Sequence, residues 1–288
     1  MRVLLLSLMA CAALTLLAAA QGQTGNQADT VVMAAREALG GAARIAALKS
    51  FVATGRTRQV QGDNLVPIEF EIACEWPDKC YRRDEIPARE SGPTTIGFSG
   101  KDLIQLPVPP APPAPAAGRP GGPAPNPDAL RAARAATTKQ EFARLTLGMF
   151  LGTVPDFPVT FGYAGEAEAP QGKADILDVK GPDNFAARVF VFRDTHLPIM
   201  LTWQAPVGPL RGRPAGPAPA AGGAGGPAAA SLAMVENRIY FADYRDSDGL
   251  EFPYRLRRAV GADTTEETTF DRFRVNAKID AKKFEVRK

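Results

Sequence analysis

Val66-Pro67-Ile68-Glu69-Phe70-Glu71-Ile72-Ala73-Cys74-Glu75-Trp76 is apolar at every second position and mostly acidic between them. Successive side chains of a strand point to opposite faces, so this pattern predicts a strand with one greasy face and one charged face. Leu250-Glu251-Phe252-Pro253-Tyr254-Arg255-Leu256-Arg257 repeats the pattern near the other end of the chain. Weaker period-two runs occupy 95–98, 159–163, 174–179, 187–193, 199–203, 235–244 and 268–275, and a further strand opens at Phe51. Turn chemistry separates them: Ser99-Gly100, Gly181-Pro182-Asp183-Asn184, Asp194-Thr195-His196 and Asp246-Ser247-Asp248-Gly249. Consecutive strands joined by tight turns pair antiparallel, which predicts a meander of about ten strands in one large curled sheet.

Helical patterning is sparse. Residues 29–39 read as a helix stopped by Gly40-Gly41, with a further turn over 43–49. In the middle of the chain Asp128 suits the cap of a first turn. Thr138 and Glu141 have the spacing of a capping box that opens a second helix through Phe142, Leu145, Met149 and Phe150 to Leu151. This last helix becomes apolar on nearly every side toward its end, so it is expected to press on an apolar surface. The class is α+β, mainly β, with two or three helices available as a lid over the sheet.

The composition excludes several functions. The 288 residues carry 34 Lys and Arg against 31 Asp and Glu, a formal charge of +3, which does not support nucleic-acid binding. One His and three Cys, without CxxC, HExxH or a His pair, predict no metal and no cofactor. His196 lies in a turn, and no GxSxG elbow is present to pair it with a nucleophile. Asp243, Asp246 and Asp248 lack the ligand set of a calcium loop, and Glu166 with Glu168 reads as a solvated face, so no catalytic residue is assigned. Arg255, Arg257 and Arg258 are read as a basic strip opposite the apolar face, solvated or turned toward head groups or an acidic partner.

Residues 1–20 have the build of a secretory signal: Arg2, an apolar run, then Ala18-Ala19-Ala20. Leu8-Met9-Ala10-Cys11 is an imperfect lipobox, but cleavage before Cys11 would leave an apolar N-terminus, so soluble export is favoured over lipid attachment at Cys11. The rest, 21–288, is expected to be one domain. Within it Cys74 and Cys80 flank Glu75-Trp76-Pro77-Asp78-Lys79, a turn between two strands, where an oxidising compartment would close a structural disulfide across the hairpin. Two segments rich in Pro and Gly, 107–127 and 205–230, cannot bury enough side-chain surface to order themselves and are read as loop insertions.

A wide one-sided sheet tends to curl into a barrel or half-barrel, and two short helices leave either a filled core or a hollow. Periodicity does not distinguish the two. Further residues bear on the choice. Gly40-Gly41, Lys49-Ser50, Thr54-Gly55 and Pro77-Asp78-Lys79 resemble the opening of bacterial periplasmic proteins similar to the lipoprotein carriers LolA and LolB. Gly165-Glu166-Ala167, Asp175-Ile176-Leu177-Asp178-Val179 and the run from Phe190 to Pro198 continue the likeness. Its most specific part runs from Asp243 to Pro253, then Val275-Asn276 and Ile279-Asp280 to Phe284. The Pro- and Gly-rich insertions and the extra length depart from those compact carriers.

The resemblance implies an unclosed antiparallel half-barrel around a hydrophobic cavity, lidded by helices, that carries acyl chains of lipids or lipoproteins through the periplasm. It implies no catalytic residue. On this reading Phe70, Ile72, Trp203, Phe252 and Tyr254 form the cavity wall, and Phe142, Leu145, Met149 and Phe150 the lid. Partners would be an acyl chain, a protein of the envelope and a peripheral membrane surface. The alternative is a non-enzymatic envelope adaptor whose half-barrel is filled and which docks through its Pro-rich loop or basic strip.

Overall fold

The structure is a computed structural model that describes residues 27–87, 90, 92–109, 126–169, 172–206 and 233–286. The expected leader, Cys11 and most of the two Pro- and Gly-rich segments lie outside the described residues. Helix α1 covers 27–38, α2 Ala42–Ala46 and α3 Pro127–Phe150, and a 3-10 turn covers Ala281–Phe284. The first strands are β1 Ser50–Gln61, β2 Asn64–Glu75, β3 Lys79–Glu85, β4 Thr94–Ser99, β5 Asp102–Leu106 and β6 Thr160–Ala169. The others are β7 Gly172–Lys180, β8 Ala186–Phe192, β9 Pro198–Pro206, β10 Met234–Ser247, β11 Leu250–Val260 and β12 Asp263–Val275.

All twelve strands form one antiparallel sheet in the order β5-β4-β3-β2-β1-β12-β11-β10-β9-β8-β7-β6. The two ends of the chain's strand set, β1 and β12, therefore meet in the middle, and β5 and β6, next to each other in sequence, become the two free edges. The sheet is an unclosed half-barrel. Helix α3 is the connection between those edges, and it crosses the inside of the curl, touching β4, β5, β8, β9 and β11.

Strand β5 went unanticipated, and β3 was expected only as the far arm of the hairpin at Pro77-Asp78. In β3, Cys80, Arg82 and Asp84 alternate with Tyr81, Arg83 and Glu85, so charge stands on both faces and hides the period of two. Strand β5 is only five residues long.

The middle of the chain holds one helix where a break at Thr138 was expected. Asn126 caps it, its Oδ1 accepting from the Asp128 amide at 2.9 Å, with Pro127 at the first helical position and Asp128 favourably placed in the first turn. The last residue of the segment 107–127 is thus the first of α3. Thr138 caps nothing: its hydroxyl donates to the Arg134 carbonyl at 2.8 Å, one turn back. The helix stops at Leu151, whose φ of 45° is left-handed.

Helix α1 buries Ala28, Val32, Ala35 and Leu39, one stripe at helical spacing. The chain turns out of it at Gly40, whose φ is +118° and where a side-chain carbon would stand 2.3 Å from the Gly249 carbonyl oxygen. A second, small core lies on the outer face, where the C-terminal 3-10 turn lays Phe284 over Val52, Ala73, Tyr81 and Ile104.

Candidate functional site

From Phe142 to Leu151 helix α3 is buried at every position, and its close seating has two causes. Gly148 has no side chain to hold it off the ring of Phe241. Across from it the Tyr244 hydroxyl lies 3.0 Å from the Gly148 carbonyl and 2.7 Å from that of Pro198, its hydrogen shared between them. Burial pushes the Tyr244 phenol well above its ordinary pKa, so it remains a donor. At the end of α3, Arg36 of α1 donates Nε and Nη2 to the Leu151 carbonyl at 3.2 and 2.9 Å.

The expected wall and lid residues divide between three environments. At one end aromatic rings pack edge to face. Phe150 meets Phe51, Trp76 and Phe252 edge to face at 5.7, 6.3 and 5.4 Å. Phe252 in turn stacks on Phe273 at 4.2 Å. Met149 and Phe252 are fully buried. Phe150 and Trp76 also border a hollow of about 420 Å³ shared with Arg36, Ile45, Leu48 and Phe161.

At the other end α3 and the sheet leave a cleft of about 470 Å³. Phe142 and Leu145 of the helix face Ile68, Ile72, Leu256 and Phe270 of the sheet across it, and Ile86 and Ile96 flank it. Of the expected site residues, Ile72, Phe142 and Leu145 come together here. Phe70 is buried beside the cleft, edge-on to Phe270 at 5.4 Å, with the Arg82 guanidinium 4.9 Å above its ring.

Trp203 and Tyr254 each meet a guanidinium: Arg144 lies 4.6 Å from the Trp203 ring and Arg245 4.7 Å from that of Tyr254, which is also edge-on to Phe273 at 5.3 Å. Tyr254 shares a hydrogen bond of 2.9 Å with the Ser247 hydroxyl.

The cleft also holds charges that the sequence reading missed. Arg82 pairs with Asp84 at 2.7 Å and reaches the Thr57 hydroxyl at 3.3 Å, which itself bonds Thr268 at 2.8 Å. Glu141 of α3 binds two guanidiniums at once, Arg144 through Oε1 at 2.7 Å and Arg258 of β11 through Oε2 at 3.1 Å. Glu266 stands 3.7 Å from Arg258. Burial opposes the charge on Arg258, but Glu141 and Glu266 outweigh it, and the group is held above its usual pKa. Burial lowers that of Arg144, which is 6% exposed and has an Nε without a partner.

Arg258 corrects the expected basic strip. It stands two residues from Leu256 and therefore shares its inner face, while Arg255 and Arg257 remain outside.

Cys74 and Cys80 oppose each other in the β2–β3 pairing and are joined as a disulfide, with Cα atoms 4.1 Å apart. Among the described residues no group of three His, Cys, Asp or Glu is placed to hold a metal, and no helix is long and apolar enough to cross a membrane.

Among solved structures this curled sheet and inner helix superpose on a LolA superfamily protein from Nitrosomonas europaea with a TM-score of 0.52, over 90% of this chain and 97% of that one. The fold is LolA-like. Sequence identity in that comparison is 12%, so the likeness concerns the fold. A DUF1329 family protein from Desulfovibrio piger matches with a TM-score of 0.47 and 9% identity, over 90% of this chain and 97% of that one. An outer membrane lipoprotein-sorting protein domain from Vibrio parahaemolyticus matches with 0.44 and 6%, over 82% and 89%. No protein-family model matches the chain. No curated protein matches it either.

Proposed function

We propose that this LolA-like chain is a carrier that shelters an acyl chain of a lipid or lipoprotein in the cleft beneath α3, working in the periplasm after removal of residues 1–20. The observation that carries this reading is the 470 Å³ cleft with Phe142 and Leu145 on one side and Ile68, Ile72 and Phe270 on the other, a size in the range of ligand sites. An acyl chain gains about 0.8 kcal/mol for each CH₂ buried, so a chain of about sixteen carbons gains on the order of 12 kcal/mol. Association costs of roughly 4–15 kcal/mol oppose this and keep the exchange reversible. Such a task requires apolar walls and a movable cover and no reacting group.

Native mass spectrometry and lipid extraction of protein purified from the periplasm test the proposal, with a bound acyl species as the expected result. Absence of such a species, together with no uptake of a fluorescent fatty acid, would overturn it. The aromatic packing around Phe150 favours a second reading, an envelope adaptor with a filled interior. Uptake of the fatty acid separates the two.

A further inference from the structure

The cleft contains an anion of its own. Arg258 projects from β11 into the cleft, beside Leu256, Phe142 and Leu145 and in a lining that also carries Arg82, Asp84, Glu141 and Glu266. A guanidinium with a quarter of its side chain exposed requires a counter-charge. Its closest carboxylate comes from the helix opposite, Glu141, 117 residues away in sequence. A guanidinium carries five N–H donors, and Glu141 takes one of them. Glu266, at 3.7 Å, is beyond hydrogen-bond length. Donors thus remain for an incoming oxyanion.

Glu141 is also free to let go. Its other oxygen is held by Arg144 at 2.7 Å. Arg144 is fixed in place, with its guanidinium 4.6 Å from Trp203 and 5.2 Å from Phe185. Releasing Arg258 therefore leaves no unpaired carboxylate, which would be the costly outcome in a partly buried setting.

We propose that Glu141 stands in for the oxyanion head group of the cargo: the cleft selects acyl chains ending in a carboxylate or phosphate, and such a head group takes Arg258 from Glu141 and frees α3 from β11. This rests on the carrier reading and specifies its ligand class. The Glu141–Arg258 pair then works as a latch between cover and sheet that the correct cargo opens, whereas a neutral chain of equal length leaves it shut.

The test uses the full mature chain and competition against phenylnaphthylamine fluorescence by palmitate, hexadecyl phosphate and hexadecanol. Native protein is expected to bind at least one anionic competitor more tightly than the alcohol, and the stronger of the two identifies the head group. Glu141→Gln removes the internal competitor and should tighten the anionic ligand about tenfold, the worth of one charge-assisted hydrogen bond, with hexadecanol unchanged. Arg258→Met, which retains the apolar stem, should abolish the preference for anions.

If Glu141→Gln shifts all three competitors alike, or none while the probe still binds, the inference is overturned and the carrier reading survives. If native protein binds neither the probe nor any competitor, both are overturned. Should Arg258→Met fail to fold, the Glu141→Gln comparison decides alone.

Discussion

Gly148 lies against the ring of Phe241 so closely that a methyl group on its Cα would stand 2.0 Å from Cζ. The contact sets how deeply α3 sinks into the curl, since Phe241 is itself buried. Gly148→Ala should therefore destabilise the protein by about 1–3 kcal/mol through overpacking, even though Ala is the better helix former. Thermal unfolding measures the loss. A melting temperature equal to that of native protein would show that α3 is not seated on Phe241.

The Arg36 guanidinium ties α1 to the last carbonyl of α3, where the left-handed Leu151 ends the helix. Arg36→Met keeps the stem and removes both donors, leaving the Leu151 carbonyl without its charged partner. The expected cost is about 1.5–3 kcal/mol. Hydrogen exchange should quicken in 147–153 before it does elsewhere. Uniform protection across α3 would refute the tie.

On the outer face Glu71 accepts from both Lys283, at 2.6 Å, and the Tyr81 hydroxyl. Burial pushes the Glu71 pKa up, but these hydrogen bonds outweigh it and the carboxyl is held below its ordinary value. A depressed carboxyl pKa contributes stability that is complete above the unfolded value of about 4.3 and is lost as pH falls below it toward the folded pKa. The C-terminal turn should accordingly loosen in acid. Proteolysis near 281–286 is expected to accelerate below that pH in native protein, and Glu71→Gln should be susceptible already at neutral pH.

The same turn is held by Phe284, 5% exposed and edge-on to Tyr81 at 5.6 Å. Phe284→Ala should cost about 3–5 kcal/mol if the site cannot collapse. A denaturant titration with an unchanged midpoint would place Phe284 outside the folded core.

Cys74 and Cys80 close a short loop, with a sequence separation of 6. In the chain-entropy picture a loop this short is worth about 2 kcal/mol. The double variant Cys74→Ala, Cys80→Ala should lose about that amount, and thiol titration of the mature native protein should find no free sulfhydryl.

Much of the architecture is legible along the chain because the strand period is local. In β2 and β11 the apolar residues alternate with charged ones, and the pleat alone assigns their faces. The period of β3 is hidden, and only the turn at Pro77-Asp78 announces the strand, because Arg82 and Asp84 sit on the inner face, where an apolar residue would have betrayed the alternation. That exception coincides with the cleft: the local rule fails where the interior is polar, and the interior is polar where a head group could bind. Arg258 was legible in principle from its parity with Leu256. Its attraction to Glu141 was not, because nothing local links a mid-chain helix to a strand near the C-terminus.

The amino-acid sequence alone determined the strand-rich class, the antiparallel pairing of neighbours and the amphipathic cover, since each follows from alternation, turn residues or caps within about a dozen positions. Only the tertiary structure decided that β1 and β12 meet at the centre, that α3 spans the two free edges, and that one end of the curl is packed with aromatic rings while the other stays open beside Glu141 and Arg258. Those outcomes depend on how distant segments fill a shared volume and where their charges find partners. Such relations arise when the chain closes on itself and are not written in any one stretch of it.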